Sequence, residues 1–379
     1  MRADPPQMEG KSVLPVSRGF RARVDTLAKL RDLLPRVCEN LSLARAHIVL
    51  DQIRGLLVSG GEHRVLFVTA SPIDDVGRPV AAAVVIHSAI DQVDAHRIDT
   101  ATLVCAGGLG GDWQGGIEPV ASALAEKLDQ ALCDRGVRYV QWASDDISLP
   151  ENRLLSEWCR GLGFMPLSTL DYLTGSSSNE DVHPNRRGDE LLVCEPLAWD
   201  DSDEFGAFAS LADRTYRETL DCPLLSEHRT AVQTLRGYQS AVAFEPNWWF
   251  RVIEKQSRRT IGCLVLARHR GGDQRRQGGP VDNVAAENVA PENVAEIVYM
   301  GLVPKARRRG LGRELLRHAM QVARRGDCSR IILAVDRRNH PAKSIYQHAG
   351  FHHVLSETVW FKPLTGKATI DQVVGQQSA

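Results

Sequence analysis

The sequence lacks any apolar run long enough to cross a bilayer, any C-x-x-C pair, and any excess of charge of one sign. Its longest apolar stretches, Val80 to Ile86 and Ile261 to Ala267, are strand-sized, whereas a membrane-spanning helix needs about 20 apolar residues. A helical membrane protein is therefore excluded. With 46 Lys and Arg against 47 Asp and Glu, the formal net charge of −1 gives no field that would draw the chain to nucleic acid or an anionic membrane. The eight cysteines (38, 105, 133, 159, 194, 222, 263 and 328) are scattered, several inside apolar stretches. They read as small buried hydrophobes of a reducing, cytoplasmic compartment. A nucleophilic thiol at Cys222 would need a histidine base that the spacing does not supply.

What is present is ordinary globular composition, 43% apolar and 25% charged over 379 residues, which is too long for one core and implies two domains. Residues 1–10 carry Asp4, Glu9 and two prolines without an apolar segment, and read as a flexible tail instead of a signal peptide. The first domain, 11–174, runs through a strand at Lys11 to Val16, helices at Asp25 to Cys38 and Leu41 to Leu57, and strands at Val65 to Ala70, Pro79 to His87 and Thr100 to Cys105. It continues with a helix at Ile117 to Asp134, a strand at Val137 to Ala143, a helix at Asn152 to Leu162 and a strand at Phe164 to Leu173. Residues 175–188 are polar, without periodicity, and read as a linker.

The second domain, 189–365, repeats that order. A strand at Glu190 to Leu197 precedes helices at Asp203 to Leu220 and Leu224 to Gly237, then strands at Trp248 to Glu254, Thr260 to Ala267 and Ala295 to Val303. Helix Gly312 to Arg325, strand Arg330 to Val335, helix Pro341 to His348 and strand Phe351 to Phe361 follow. Residues 270–294, arginine- and glycine-rich and then carrying Asn-Val-Ala at 283, 288 and 293, read as a mobile insertion, and 366–379 as a second tail. Leu162-Gly163-Phe164 parallels Ala349-Gly350-Phe351, and the offset of 187 (351 − 164) also carries Asn152 onto Asn339 (339 − 152). Both landmarks point to a duplicated fold.

In the second domain a strand ending at Pro304 runs into Arg307-Arg308-Arg309-Gly310-Leu311-Gly312-Arg313, which opens a helix. Successive backbone amides at a helix N-terminus converge on one spot, and the helix dipole adds roughly +0.5 charge there. Glycines 310 and 312 would let phosphate oxygens approach the backbone, and the arginines would add charge-assisted hydrogen bonds. A diphosphate fits this cradle. On the next strand–helix unit stand Asn339, Ala342, Tyr346, Gly350 and Phe351, with Asn339 a natural N-cap before Pro341.

Arg307, Gly310 and Gly312 match the Arg/Gln-x-x-Gly-x-Gly/Ala signature of the GNAT acetyltransferases, and the sequence resembles that family most closely from Glu296 to Phe361. The tandem arrangement with one active unit is similar to that of the mycothiol synthases. The resemblance implies an α/β (α+β) fold of two GNAT-like domains, each a mixed, mostly antiparallel sheet flanked by helices. It implies acetyl-CoA as cosubstrate, bound by Arg307 to Arg313, by Asn339, and by the exposed main chain of a splayed strand through Met300, Gly301, Leu302 and Val303. Tyr346 would be the general acid toward the departing thiolate. An amine must lose a proton before attack, and Glu296, expected to share a strand face with Val298 and Met300, is the candidate base. Asp221 could bind a cationic substrate, with a helix cap or solvated turn as the alternative. No metal site is expected.

The first domain has Gly107-Gly-Leu-Gly-Gly-Asp112-Trp-Gln-Gly115-Gly116 at the equivalent turn, without an arginine, and Cys159 where the offset places Tyr346. It reads as a degenerate copy, with weak acyl-CoA binding through its amides as the alternative. The expected activity is acetyl transfer to a primary amine of a small molecule, by direct attack in a ternary complex. A protein N-terminus or lysine as acceptor, and a non-catalytic acyl-CoA-binding module, are the alternatives. Nucleic acid and membrane are not expected partners, and the sequence leaves monomer and homodimer open.

Overall fold

The computed structural model describes residues 19–87, 100–109, 116–178, 191–199, 202–224, 229–239, 243–270 and 293–364. The strand expected at 11–16, both tails, most of the linker and most of the 270–294 insertion lie outside these residues. The first half of the chain contains β1 (Phe20–Val24), α1 (Leu27–Cys38), α2 (Leu43–Val58), β2 (Val65–Pro72), β3 (Ala81–His87), β4 (Thr100–Gly108), α3 (Ile117–Cys133), β5 (Tyr139–Asp145), α4 (Arg153–Gly161) and β6 (Met165–Ser176). The second contains β7 (Leu192–Pro196), α5 (Ser202–Tyr216), α6 (Ala231–Gln239), β8 (Phe244–Glu254), β9 (Thr260–His269), β10 (Val294–Leu302), α7 (Leu311–Arg325), β11 (Arg330–Asp336), α8 (His340–His348) and β12 (His352–Pro363).

Local sequence accounts for most of these elements. The run Ala-Ala-Ala-Val-Val-Ile-His of β3 is buried throughout, as an interior strand covered on both faces must be. Helix α7 buries Leu311, Leu315, Leu316, Ala319, Met320, Val322 and Ala323, one apolar stripe at helical spacing, and ends at Gly326. Strand β1, Phe-Arg-Ala-Arg-Val, is not anticipated by the sequence reading. It is five residues long, alternates with arginine and, among the described residues, pairs only with β2 at the sheet edge.

Among the described residues, the twelve strands join one mixed, mostly antiparallel sheet in the order β1-β2-β3-β4-β5-β12-β6-β11-β10-β9-β8-β7. The order is a palindrome in the repeat, with one change: each half gives its last strand to the other. β12 pairs with β5 of the first half, and β6 pairs with β11 of the second. At the centre β6 and β12 run antiparallel, with His352 opposite Thr174 and Phe361 opposite Met165. The 187-residue offset maps the first of these pairs onto the second (352 − 165 and 361 − 174), so the register obeys the repeat.

The exchange is fastened by polar contacts across the halves. Arg337 Nη2 donates to Asp146 Oδ2 at 2.6 Å and its Nε to Asp171 Oδ1 at 3.2 Å, while Lys343 Nζ reaches Asp171 Oδ2 at 2.5 Å. Trp360, fully buried, donates its indole N–H to Ser144 Oγ at 2.8 Å. Helices α1 to α4 pack into one apolar cluster with β2 to β5. In the second half α7 and α8 cover one face of the sheet, around Leu264, Leu266 and Ile297. Helices α5 and α6 cover the other, around Trp249, Cys263 and Val265.

Candidate functional site

Parallel pairing of β10 with β11 stops early. It joins Val294 through Ile297 to Arg330 through Leu333, after which β10 stays on β9 through Leu302 opposite Gly262. Between Val298 to Leu302 and the end of β11 the sheet opens, and main-chain groups of β10 face the gap. Met300, Gly301, Leu302 and Val303, named from the sequence, all lie along this opening and are half-buried.

The opening begins at a bulge. Ile297 is opposite Leu266 and Tyr299 is opposite Val265, so Val298 is an extra residue on β10. The extra residue reverses the alternation of faces beyond it. Glu296 and Tyr299 therefore share the face of α5 and α6, and Met300 goes with Ile297 to the face of α7 and α8. This corrects the expectation that Glu296 shares a face with Met300, which assumed an unbroken period of two. Glu296 Oε2 lies 2.7 Å from His269 Nε2, a residue on the same face of the adjoining β9. The sequence reading misses His269, because the 270–294 insertion separates two residues that the hairpin register makes neighbours.

At the wide end of the gap Pro304–Ala306 forms a 3-10 turn, and Arg308 (φ 59°) and Gly310 (φ 81°) both adopt the left-handed conformation before α7 begins. Alternating backbone of this kind turns successive N–H groups toward one side. Among the described residues none of the amides of 308–312 donates a hydrogen bond to the protein. A Cβ at Gly310 would meet nothing within 4 Å, so the concavity is open there. Five free amides at the N-terminus of a 15-residue helix suit a diphosphate.

The arginines of the turn divide into two groups. Arg307 donates from Nε to the Leu302 carbonyl at 2.9 Å and from its two Nη atoms to the carbonyls of Thr215, Arg217 and Glu218, each at 2.8 Å. It caps the C-terminus of α5 and ties it to the end of β10, where a cation also meets the negative end of the helix dipole. Arg309 is ion-paired with Glu254. Arg308 and Arg313 are exposed and have no acidic partner among the described residues, so they are the guanidinium groups free for a ligand. Gly312 also permits the close packing of α7 on α8, since a Cβ there would come to 3.0 Å from Ile345 Cδ1. Leu311 is buried in the same cluster, and only its amide is available. Gly301 makes room for the Tyr299 hydroxyl, which is 2.7 Å from Thr215 Oγ1.

Asn339 is the N-cap of α8, its Oδ1 accepting from the Ala342 amide at 3.3 Å. Two turns further on, Tyr346 is 6% exposed, tilted on Phe351 at 6.0 Å, and its hydroxyl makes no hydrogen bond among the described residues. Burial, and then the charge of Asp221, push its phenol well above the ordinary range, so it stays protonated through neutral pH. Asp221 is neither a helix cap nor a solvated turn. Its Oδ1 accepts from the Asp336 amide at 2.7 Å, and the Cys222 amide donates back to Asp336 Oδ2 at 3.1 Å. The sequence reading passes over Asp336, which lies 115 residues away from its partner and has no local signature.

In the first half the same bulge recurs, with Val104 the extra residue of β4 opposite Val84 and Val85. There the Asn40 side chain donates to the Gly108 carbonyl at 3.0 Å and lies against the Cα of Gly107. The glycine-rich turn itself, at 110–115, lies outside the described residues.

No curated protein sequence matches the chain. Solved structures similar to it include a GCN5-related N-acetyltransferase from Sphaerobacter thermophilus, 16% identical over 93% of this chain and 98% of that one, with a TM-score of 0.47. A tandem GNAT protein from the clavulanic acid biosynthesis pathway is 11% identical over 92% of this chain and 99% of that one, with a TM-score of 0.44. A GCN5-related N-acetyltransferase from Kribbella flavida is 13% identical over 86% and 98%, with a TM-score of 0.41. Residues 212–351, which hold the splayed strand, the open turn and Tyr346, match the acetyltransferase (GNAT) family model, which marks this part of the chain as an acyltransferase domain.

Proposed function

We propose that the second half of the chain transfers an acetyl group from acetyl-CoA to a primary amine of a small molecule, by direct attack in a ternary complex. The observation that carries this reading is the continuity of the β10–β11 gap with the five unbonded amides of 308–312. A diphosphate at the amides, helped by Arg308 and Arg313, would lay a pantetheine arm along Met300 to Val303 as an added strand. The thioester would then reach the narrow end of the gap.

There the amine nitrogen attacks the thioester carbon, the C–N bond forms and the C–S bond breaks. Glu296, held by His269, takes the proton the nitrogen must shed, directly or through water. Tyr346, kept protonated by burial and by the nearby Asp221 charge, gives its hydrogen to the departing sulfur. The residues 11–174 are a degenerate copy that supplies β6 to the sheet. In support, Asn40 occupies the place along β4 that the acyl arm would need, and Cys159 replaces the tyrosine. Screening a panel of small primary amines, peptide N-termini and lysine peptides for thiol release from acetyl-CoA tests the reading. Release with small amines alone supports it, and release with peptides alone would overturn the small-molecule acceptor.

A further inference from the structure

The repeat separates scaffold from function in the loop that follows α5. Strands β5 and β11 each have seven residues and end at Asp145 and Asp336. Asp145 Oδ2 accepts from the Ser42 amide at 3.3 Å, as Asp336 Oδ2 accepts from the Cys222 amide at 3.1 Å. A strand-end aspartate that staples the loop between two helices is thus common to both halves. One residue before the stapled amide the halves part, with buried Leu41 in the first and Asp221 in the second. The half with Leu41 also has Cys159 in place of Tyr346. An acid that serves only to hold the loop would be expected in both copies.

Asp221 also lacks a counter-ion. Its carboxylate is met by the Asp336 amide and by the Asn339 side chain, but by no cation among the described residues, whereas Asp336 has Arg338 at 3.2 Å. Burial first, and the neighbouring Asp336 charge after it, push the Asp221 carboxyl above its ordinary range even against these two hydrogen bonds. The groups around it are Asp336, Cys222, Tyr238 and Tyr346, with Arg338 engaged by Asp336. The hydroxyl of Tyr346, in a side chain 6% exposed, makes no hydrogen bond among the described residues. A carboxylate taken partly out of water without a cation is costly, and an arriving ammonium group relieves that cost.

Resting on the acyl-transfer reading above, we propose that Asp221 is the acceptor-side specificity residue: its carboxylate binds the ammonium form of a primary alkylamine and holds the nitrogen at the β10–β11 gap, on the side of Tyr346. The acceptor class is then a cationic amine, and neutral nitrogen nucleophiles gain nothing from this residue.

The test compares primary alkylamines with the matched O-alkylhydroxylamines, which are neutral at pH 7.5, in the wild type and in Asp221→Asn, with acetyl-CoA affinity measured by calorimetry. The asparagine side chain keeps an oxygen for the Asp336 amide, and Asp221→Ser serves as a second neutral variant. Loss of one charge-assisted contact corresponds to roughly 10- to 100-fold. The expected result is a kcat/KM ratio of alkylamine to hydroxylamine that falls by that factor in both variants, through KM for the alkylamine, with acetyl-CoA affinity kept within about twofold. An unchanged ratio in a variant that still binds acetyl-CoA would overturn the role of Asp221 and leave acyl transfer standing. A wild type that binds acetyl-CoA but releases thiol with neither class would overturn both.

Discussion

Glu296 and His269 face each other across the β9–β10 hairpin, Oε2 to Nε2 at 2.7 Å, one step before the bulge at Val298 opens the sheet. A carboxylate that orients an imidazole at the narrow end of the gap is suited to receive a proton from an amine. Glu296→Gln should lower kcat about 100-fold while leaving acetyl-CoA affinity within twofold, measured by steady-state kinetics and calorimetry. Equal loss in both would mark Glu296 as a group that shapes the strand.

Arg307 and Arg308 are adjacent and should behave differently. Arg307→Ala removes four hydrogen bonds to main-chain carbonyls and should cost about 2–3 kcal/mol of stability, seen as a lower denaturation midpoint. Arg308→Ala should leave the midpoint unchanged and weaken acetyl-CoA binding roughly tenfold, with a smaller effect at high salt.

Tyr346→Phe keeps the ring that packs on Phe351 and removes only the hydroxyl. Turnover should fall by about 100-fold, with acetyl-CoA affinity and denaturation midpoint retained. A stable variant with full turnover would reduce Tyr346 to a core aromatic.

The joint between the halves should be acid-labile. Burial alone would raise Asp146 and Asp171, but hydrogen bonds from Arg337 to both, and from Lys343 and Ser356 to Asp171, outweigh it and hold both carboxyls below the ordinary range. Carboxyls depressed in the folded state contribute stability above the ordinary pKa of about 3.9 and lose it as pH falls through their lowered values. Arg337→Ala should therefore lower stability by about 1–3 kcal/mol at pH 7, and the difference from wild type should shrink below about pH 4. Thermal melts of both proteins between pH 3 and pH 7 check this.

Elements whose sequence carries a strong period are legible from residues alone: α7 with its apolar stripe, β3 with its unbroken apolar run, and the Asn339 cap of α8. The turn at 307–313 is legible as an anion cradle because its amides are a local property of the chain. What the arginines do there is not. Arg307 finds three of its partners at and just beyond the C-terminus of α5, some 90 residues back in the chain, and no local pattern announces such a contact. The bulge at Val298 and the exchange of β6 for β12 are likewise decided by pairing between distant strands, and the bulge alone moves Glu296 away from the face of Met300. Asp221 is visible as a charged residue, but only the Asp336 amide at 2.7 Å and the contrast with Leu41 give it a place.

The most direct measurement is a crystal structure of the full chain with coenzyme A. The expected result is a diphosphate within hydrogen-bonding distance of the amides of 308–312, with the pantetheine arm between β10 and β11 and its sulfur toward Tyr346. Coenzyme A bound at another place on the molecule, with the gap between these strands empty, would contradict it.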